Sequence, residues 1–151
     1  MSRKVLKAMA LGCVAAGLFI SAAAPATQLI TEDEAKQQQP KGAVAVDRRA
    51  GILRGPKVAL VSPADATHSP LRLKLKFESF GGTKIDPDSV KVVFLSTPNV
   101  DLTPRVKPFV QADGIDMPDA ELPPGEYTVR VDVKDNEGHS GTTIFVLRVV
   151  P

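Results

Sequence analysis

The sequence is poor in residues on which several common protein classes depend. Its 151 residues include one cysteine, one tyrosine and no tryptophan, and aromatic residues make up 5%. The cysteine, Cys13, lies in an N-terminal apolar run, so disulfide bonds cannot hold the remaining chain together. Few aromatic residues argue against a glycoside hydrolase, which usually needs aromatic platforms beside its carboxylates. The 13 prolines argue against a helical bundle.

The sequence also lacks a strong excess of charge. Residues 1–26 contain three basic residues and no acidic ones, which leaves 16 basic and 17 acidic residues in the rest of the chain. That balance of −1 comes with no basic stripe interleaved with aromatic residues. We therefore expect no nucleic-acid partner.

The first 26 residues have the parts of a secretory signal peptide. A basic segment with Arg3, Lys4 and Lys7 precedes an uncharged apolar run over 8–24, which ends in Ala24-Pro25-Ala26. We expect cleavage after this small-residue site and a periplasmic or extracellular protein with no stable membrane insertion. Retention as an anchor is the open alternative, although the 17-residue run is shorter than the span of about 20 residues that a membrane requires.

Residues 27–56 are polar, contain proline and show little periodicity. Thr31 and Glu34 have the spacing of a capping box, so a short helix is predicted to run to about Gln39 before Pro40. A helix this short is marginal alone in water, and we interpret the segment as a flexible tether. The open alternative is a segment that folds on contact with a partner through its aliphatic residues Leu29, Ile30, Val44 and Val46.

From Lys57 onward the pattern is that of short strands. Apolar and charged residues alternate strictly over Leu71–Glu78, which is typical of a strand with one face on a core. Further strands are predicted at Lys57–Ser62, 90–95, 127–134 and 145–149. The irregular region 100–122 contains Pro104, Pro108 and Pro118, so its strands should be short or lie at a sheet edge. No helix is expected after residue 57, which favours an antiparallel β-sandwich.

Two stretches suggest a family for this sandwich. Residues 57–63, 71–77 and 85–90 resemble the opening of a bacterial immunoglobulin-like domain, and residues 122–138 are similar to its late hairpin. The resemblance implies an immunoglobulin-like fold, which serves adhesion modules, spacers and accessory domains alike. It also implies that Tyr127 either forms a tyrosine corner or is an ordinary core aromatic residue.

A second resemblance concerns the end of the chain. The last part of the chain looks like the end of the periplasmic copper-carrier domain of the CopC type. The likeness lies in a strand with Gly125, Tyr127 and Val129, followed by the turn Glu137-Gly138-His139. That family has aspartate in this turn and places a copper-binding histidine at the mature N-terminus. Here the expected mature start is Thr27, and no histidine precedes His68. One histidine with one carboxylate is a poor ligand set for copper(II).

Other candidate sites are sparse. Both histidines, His68 and His139, fall in predicted loops, and a catalytic triad would need Ser140, His139 and an aspartate that nothing in the sequence positions. Acidic residues cluster in two places, which makes calcium an open alternative: Asp113, Asp116, Asp119 and Glu121, then Asp132, Asp135 and Glu137. No zinc spacing, phosphate-binding glycine loop or nucleotide fingerprint is present.

We therefore expect a signal peptide over 1–26, a flexible tether over 27–56, and an all-β, antiparallel immunoglobulin-like β-sandwich of about seven strands over 57–150. The expected function is binding or structural support in the bacterial envelope or periplasm. We expect no catalysis, no cofactor, and no catalytic, cofactor-binding or metal-binding residues. The expected partner is a protein or other envelope component, bound by residues 100–122. The alternative is a periplasmic β-sandwich that binds copper or calcium.

Overall fold

The computed structural model describes residues 26–37, 39 and 55–151, which form two β-sheets around one apolar core. The strands are β1 (Thr27–Gln28), β2 (Lys57–Ser62), β3 (Thr67–His68), β4 (Leu71–Glu78), β5 (Ile85–Phe94), β6 (Val100–Asp101), β7 (Val110–Gln111), β8 (Gly114–Glu121), β9 (Gly125–Asp135) and β10 (Ser140–Val150). The first sheet has the order β1-β8-β4-β2, with β7 also paired to β8, and the second has the order β3-β10-β9-β5-β6.

This strand order confirms the immunoglobulin-like β-sandwich. The neighbours β2-β4-β8 and β10-β9-β5 correspond to strands A-B-E and G-F-C of immunoglobulin domains. The sheets are mixed rather than purely antiparallel, because β1 runs parallel to β8 and β3 runs parallel to β10. Both parallel partners are two residues long, so the long strands still pair in the predicted antiparallel way.

Alternation in the sequence places the core on the inner face of each long strand. In β4, Leu71, Leu73, Leu75 and Phe77 are buried and the intervening charged residues are exposed. Strands β2 and β4 have the predicted bounds, and β9 and β10 extend beyond the predicted segments. Strand β5 begins five residues before the predicted segment and ends one residue before its end. Each fully buried aliphatic or aromatic side chain contributes about 1.5–3 kcal/mol to folding.

Two of the three prolines in 100–122 begin helical turns, which corrects the prediction of strands without helices. Pro104 lies in the first turn of α2 (Thr103–Val106), and Pro108 lies in the first turn of a 3₁₀ helix (Lys107–Phe109). Proline is tolerated there because the first amides of a helix have no intrahelical acceptor.

Pro118 lies in β8, a strand paired on both sides rather than a short or edge strand. The pairing of β8 with β4 shifts between Leu71↔Ala120 and Leu73↔Met117, so two residues of β8, Pro118 and Asp119, lie opposite one of β4. Proline lacks the amide hydrogen that a regular ladder needs, and a bulge removes that requirement. The bulge therefore explains how an inner strand accommodates proline.

Residues 27–37, which together with Gln39 we call the arm, pack against the sandwich instead of extending from it as a tether. Strand β1 pairs with the end of β8, and Leu29 and Ile30 are 1% and 0% exposed, respectively. Helix α1 (Glu32–Ala35) begins with the predicted capping box, in which Glu34 N–H donates to Thr31 Oγ1 and Thr31 N–H donates to Glu34. The segment packs because its two adjacent aliphatic residues enter the core. Two adjacent apolar residues have neither the period of a strand nor that of a helix, so the sequence pattern does not indicate their burial. The remaining tether residues 38 and 40–54 lie outside the described residues.

The predicted signal peptide, apart from Ala26, also lies outside the described residues. In the part of the chain that the structure describes, no helix is long and apolar enough to cross a membrane.

Candidate functional site

Two connections at one end of the sandwich are tied together. We call this surface the loop end, and it consists of the β4–β5 connection, residues 79–84, and the β9–β10 connection, residues 136–139. Asn136 N–H donates to the Lys84 carbonyl at 2.9 Å, and Lys84 N–H donates to Asn136 Oδ1 at 3.1 Å. Because the two bonds are reciprocal, one asparagine fixes the spacing of both connections.

A buried carboxylate shapes the β9–β10 connection. The Asp135 side chain is 0% exposed, and its Oδ1 accepts hydrogen bonds from Glu137 N–H at 3.0 Å and His139 N–H at 2.8 Å. Desolvation raises the pKa of Asp135, but hydrogen bonds from His139 and Glu137 outweigh it and leave the pKa below its ordinary value. Asp135 therefore remains ionised and holds the turn in one conformation.

Phe80 is the prominent apolar side chain of the loop end. It is 54% exposed, the largest exposed fraction among the large hydrophobic residues that the structure describes. The following Gly81 and Gly82 have φ of 66° and 80°, a region that favours glycine, and Thr83 Oγ1 donates to the Phe80 carbonyl at 2.9 Å. The glycine pair and this bond form the tight turn that carries the phenyl ring.

The paired Gly81 and Gly82 are a turn signal in the sequence, but no local pattern indicates that Phe80 is exposed. The alternation of buried and exposed residues in β4 ends at Glu78, so it does not predict whether Phe80, two residues later, is buried or exposed. The contact between Asn136 and Lys84 joins residues 52 positions apart, and no local pattern predicts it. The signals that could have drawn attention to the site were the paired glycines after a phenylalanine.

The two histidines lie far apart. His139 is in the β9–β10 connection, as predicted, whereas His68 is in β3 rather than in a loop. His68 pairs with Val150, ten residues along β10 from Ser140, which places the histidines about 30 Å apart. They therefore cannot bind one ion or one small substrate together.

His139 contacts Asp135 but not Ser140. Its Nδ1 lies 3.1 Å from Asp135 Oδ2 and 3.7 Å from Glu137 Oε2, and its side chain is 42% exposed. Within residues 26–37, 39 and 55–151 no hydrogen bond joins Ser140 to His139, so the structure brings together two members of the conceivable triad.

In the first predicted cluster, Asp116 pairs with a residue outside the cluster. Asp116 forms two hydrogen bonds with Arg72, at 2.8 and 2.6 Å, and these bonds lower the pKa of Asp116. In the second cluster, Asp132 accepts from Thr142 Oγ1 at 2.6 Å and from Arg130 Nε at 3.1 Å. Across the described ranges, no three His, Cys, Asp or Glu residues form a group that could hold a metal ion.

Region 100–122 contributes many side chains to the core, so only part of the predicted binding surface is exposed. Ile115 is buried, and Phe109 and Val110 pack partly buried against the core. Five further hydrophobic residues of the region are buried, namely Leu102, Val106, Met117, Ala120 and Leu122. These residues bridge the sheets because α2 and β8 return the chain to the first sheet.

A groove of about 430 Å³ lies along β4 and the start of β8. Its lining includes Lys74 and Lys76, the polar residues Gln111 and Asp113, and Val61 of the edge strand β2. Opposite charges line it together, so the groove offers polar contacts without a field of one sign.

Comparisons with known proteins do not establish a family. Neither a protein-family model nor a curated protein matches the sequence. Among solved structures, the chain is similar to CopC from Methylosinus trichosporium OB3b: identity is 22%, the match covers 63% of this chain and 95% of that chain, and the TM-score is 0.41. Similarity at this level carries no argument about ligand or location.

Proposed function

We propose that this chain is an exported, non-catalytic immunoglobulin-like module that binds a protein or another envelope component through its loop end. The observation that carries the proposal is the exposed Phe80, on a connection that Asn136 ties to the neighbouring β9–β10 connection. Export rests on the basic segment, apolar run and small-residue site of residues 1–26.

An exposed phenylalanine is a good anchor for a partner. Burying one such side chain contributes about 1.5–3 kcal/mol, and aromatic residues are enriched where interfaces derive most of their affinity. The rim of the loop end is polar, with exposed Lys84 and Glu137 and half-exposed His139. An apolar centre with a polar rim is the usual composition of a protein interface.

The rigidity of the connections favours binding. Asp135 and Asn136 fix both loops before a partner arrives, so little conformational entropy remains to be lost on binding. The carboxylate of Asp135 is buried and already accepts several hydrogen bonds, so its role in holding the connection explains why an acidic residue is buried there.

Site-specific photocrosslinking in the producing cells tests the proposal. A photoreactive amino acid replaces Phe80 in one variant and Lys91, exposed on the second sheet, in the control. We expect a discrete crosslinked product from position 80 and none from position 91. Equal products at both positions, or none at 80, would contradict binding through the loop end.

A second variant separates binding from folding. With the photoreactive group at Glu137, Phe80→Ser should lower crosslinking at least tenfold, on the order of the 1.5–3 kcal/mol that one anchor contributes. Because Phe80 is mostly exposed, the free energy of unfolding should change little. Undiminished crosslinking would show that Phe80 is not the anchor.

A metal-binding function is the second candidate, and one contact favours it. Asp135 Oδ2 faces His139 Nδ1, an arrangement that orients metal-ligating histidines in many proteins, with Nε2 as the remaining ring nitrogen. Calorimetric titration with copper(II) and with calcium tests this function. Stoichiometric binding that is lost in His139→Ala would support it, and no binding by the unaltered protein would remove it.

A further inference from the structure

Strand β10 is paired unequally on its two sides. On one side it pairs with β9 over almost its whole length, and on the other it pairs with β3 only at Val149 and Val150. At the opposite end of the strand, Gly55 and Pro56 lie against its first two residues. In the part of the chain that the structure describes, no strand pairs with residues 142–148 on that side. We call residues 142–148 the open edge, which is about 20 Å long.

The register of β10 shows which backbone groups face the open edge. Asp135 N–H donates to the His139 carbonyl at 3.0 Å, where β9 turns into β10. Because bonded and unbonded pairs alternate in an antiparallel ladder, the odd-numbered residues of β10 bond to β9. The N–H and C=O groups of Thr142, Ile144 and Val146 therefore point away from β9. Such a row of alternating donors and acceptors is complementary to another extended backbone.

The inner side of the open edge is an apolar seam between the two sheets. After Pro56 the chain leaves β10, because β2 joins the first sheet beside β4, and Thr143 Oγ1 donates to the Val58 carbonyl at 3.1 Å where the two strands pass. Leu60 of β2 and Phe145 of β10 pack only partly buried against the core. The inner side chains of an added strand therefore meet apolar surface.

The outer side of the open edge is also largely apolar. Val146 is 47% exposed and borders a groove of about 140 Å³. The rest of the groove wall comes from residues 63–66, which read Pro-Ala-Asp-Ala, and from Arg148. Since Arg148 pairs with Glu126 at 2.8 Å and residue 65 is itself acidic, the groove suits a small uncharged side chain rather than an acidic one.

We infer that the open edge is an interaction surface that takes an extended segment of a partner polypeptide as an added strand. The length of the edge limits the paired part of this segment to about five to seven residues. Its side chains are aliphatic or β-branched, because both sides of the edge are largely apolar. Backbone hydrogen bonds supply affinity, and the seam and the groove supply the preference for these side chains.

The ends of the open edge favour a free segment over a second copy of this chain. Strand β10 of a second copy has the complementary backbone, but it continues beyond the length of the open edge at both ends. It would enter the positions that β3 holds at one end and that Gly55 and Pro56 hold at the other. A linear segment of a partner does not meet this obstacle.

A tethered strand on the full chain tests the inference. After Pro151, a flexible linker of about 12 glycine and serine residues carries the strand Thr-Val-Thr-Val-Thr-Val. The linker reaches up to about 40 Å and holds the strand at about 1 mM near the open edge. The control extension has proline in place of each valine, which removes its amide donor. Hydrogen exchange, followed by NMR, compares the Ile144 and Val146 amides in the two proteins.

We expect exchange at Ile144 and Val146 to be at least ten times slower with the valine strand than with the proline control. Equal rates would overturn the inference, as would slower exchange confined to another sheet edge such as β6. The tethered strand does not involve the loop end, so the inference and the proposed binding function can fail separately.

Photocrosslinking in the producing cells tests the occupant. With a photoreactive amino acid at Val146, we expect a product heavier than the chain by a partner polypeptide. Ile144→Pro removes one donor of the open edge and keeps the bonds to β9, so it should lower the yield at least tenfold. The matched control is Ile144→Thr, which keeps the donor.

A product of twice the mass of the chain would identify a second copy and overturn the inference. Equal yields from the proline and threonine variants, or no product from the unaltered edge, would overturn it too. If Ile144→Pro does not fold, the tethered strand decides.

Discussion

At the scale of single residues, the fold depends on a few polar side chains that satisfy backbone groups. Tyr127 illustrates this: its hydroxyl donates to the Pro123 carbonyl at 2.7 Å, while its ring packs edge-on against Phe94 with centroids 5.6 Å apart. The hydrogen bond supports the tyrosine-corner interpretation, and the burial is that of a core aromatic residue. Both sequence-based alternatives for Tyr127 therefore describe part of its role.

Removing only the hydroxyl should separate the two roles. Tyr127→Phe keeps the ring contact and removes the bond to Pro123, so the free energy of unfolding should fall by about 1 kcal/mol. Urea denaturation measures the change. An unaltered midpoint would mean that the corner bond contributes nothing to stability.

The Glu34–Arg105 pair should make stability depend on acid. Because the folded state lowers the pKa of Glu34 from 4.5 to about 2, its contribution is complete above pH 4.5 and disappears as the pH falls towards 2. At neutral pH, Glu34→Gln should lower the free energy of unfolding by about 1–3 kcal/mol, and near pH 2 it should lower it by almost nothing. Denaturant unfolding of both proteins across this range gives the difference.

The matched control is Glu126→Gln. Glu126 also pairs with an arginine, Arg148, at 2.8 Å, but both side chains are largely exposed. We expect a cost below about 1 kcal/mol at any pH. If the difference in free energy of unfolding between Glu34→Gln and the unaltered protein were the same at every pH, the Glu34–Arg105 pair would not be the source of the acid dependence.

At the scale of elements, the sequence predicts a strand well where its period is unbroken. Strand β4 is identified because four apolar residues alternate with four charged ones, and its bounds follow from the same pattern. Strand β8 is missed because the bulge at Pro118 shifts the alternation of buried and exposed residues. The acidic residues Asp116 and Asp119 close to the bulge also resemble those of a loop. The arm is missed because Leu29 and Ile30 are adjacent, and only distant residues show that both are buried.

The same reasoning explains how much of the site could be predicted. The two connections of the loop end follow from their glycine, asparagine and aspartate residues. Their mutual contact, the burial of Asp135 and the exposure of Phe80 depend on the sheet register, which one sequence does not supply.

If the arm belongs to the folded unit, its aliphatic residues should behave as core residues. Leu29→Ala should lower the free energy of unfolding by about 2–4 kcal/mol, because it leaves a cavity in the core. Val61→Ala, at a side chain that is 47% exposed, is the control and should cost about 0.5 kcal/mol or less. A Leu29→Ala protein as stable as the control would restore the tether interpretation.

At the scale of the whole molecule, the arm and the loop end have different roles. The arm joins the two sheets through contacts with β8, Arg105 and β9, so it completes the sandwich. The loop end is built from connections that the core does not need and carries the exposed phenyl ring. A rigid scaffold that presents variable connections is the arrangement by which immunoglobulin-like modules bind partners.

The proposed function is binding of a macromolecule, rather than a metal, by an exported module. Native mass spectrometry of the protein, recovered from the periplasm of the producing cells without chelators, distinguishes the two. We expect a metal-free chain that begins at Thr27, together with a macromolecular complex that Phe80→Ser abolishes. Stoichiometric copper or calcium on the unaltered protein, with no such complex, would contradict it.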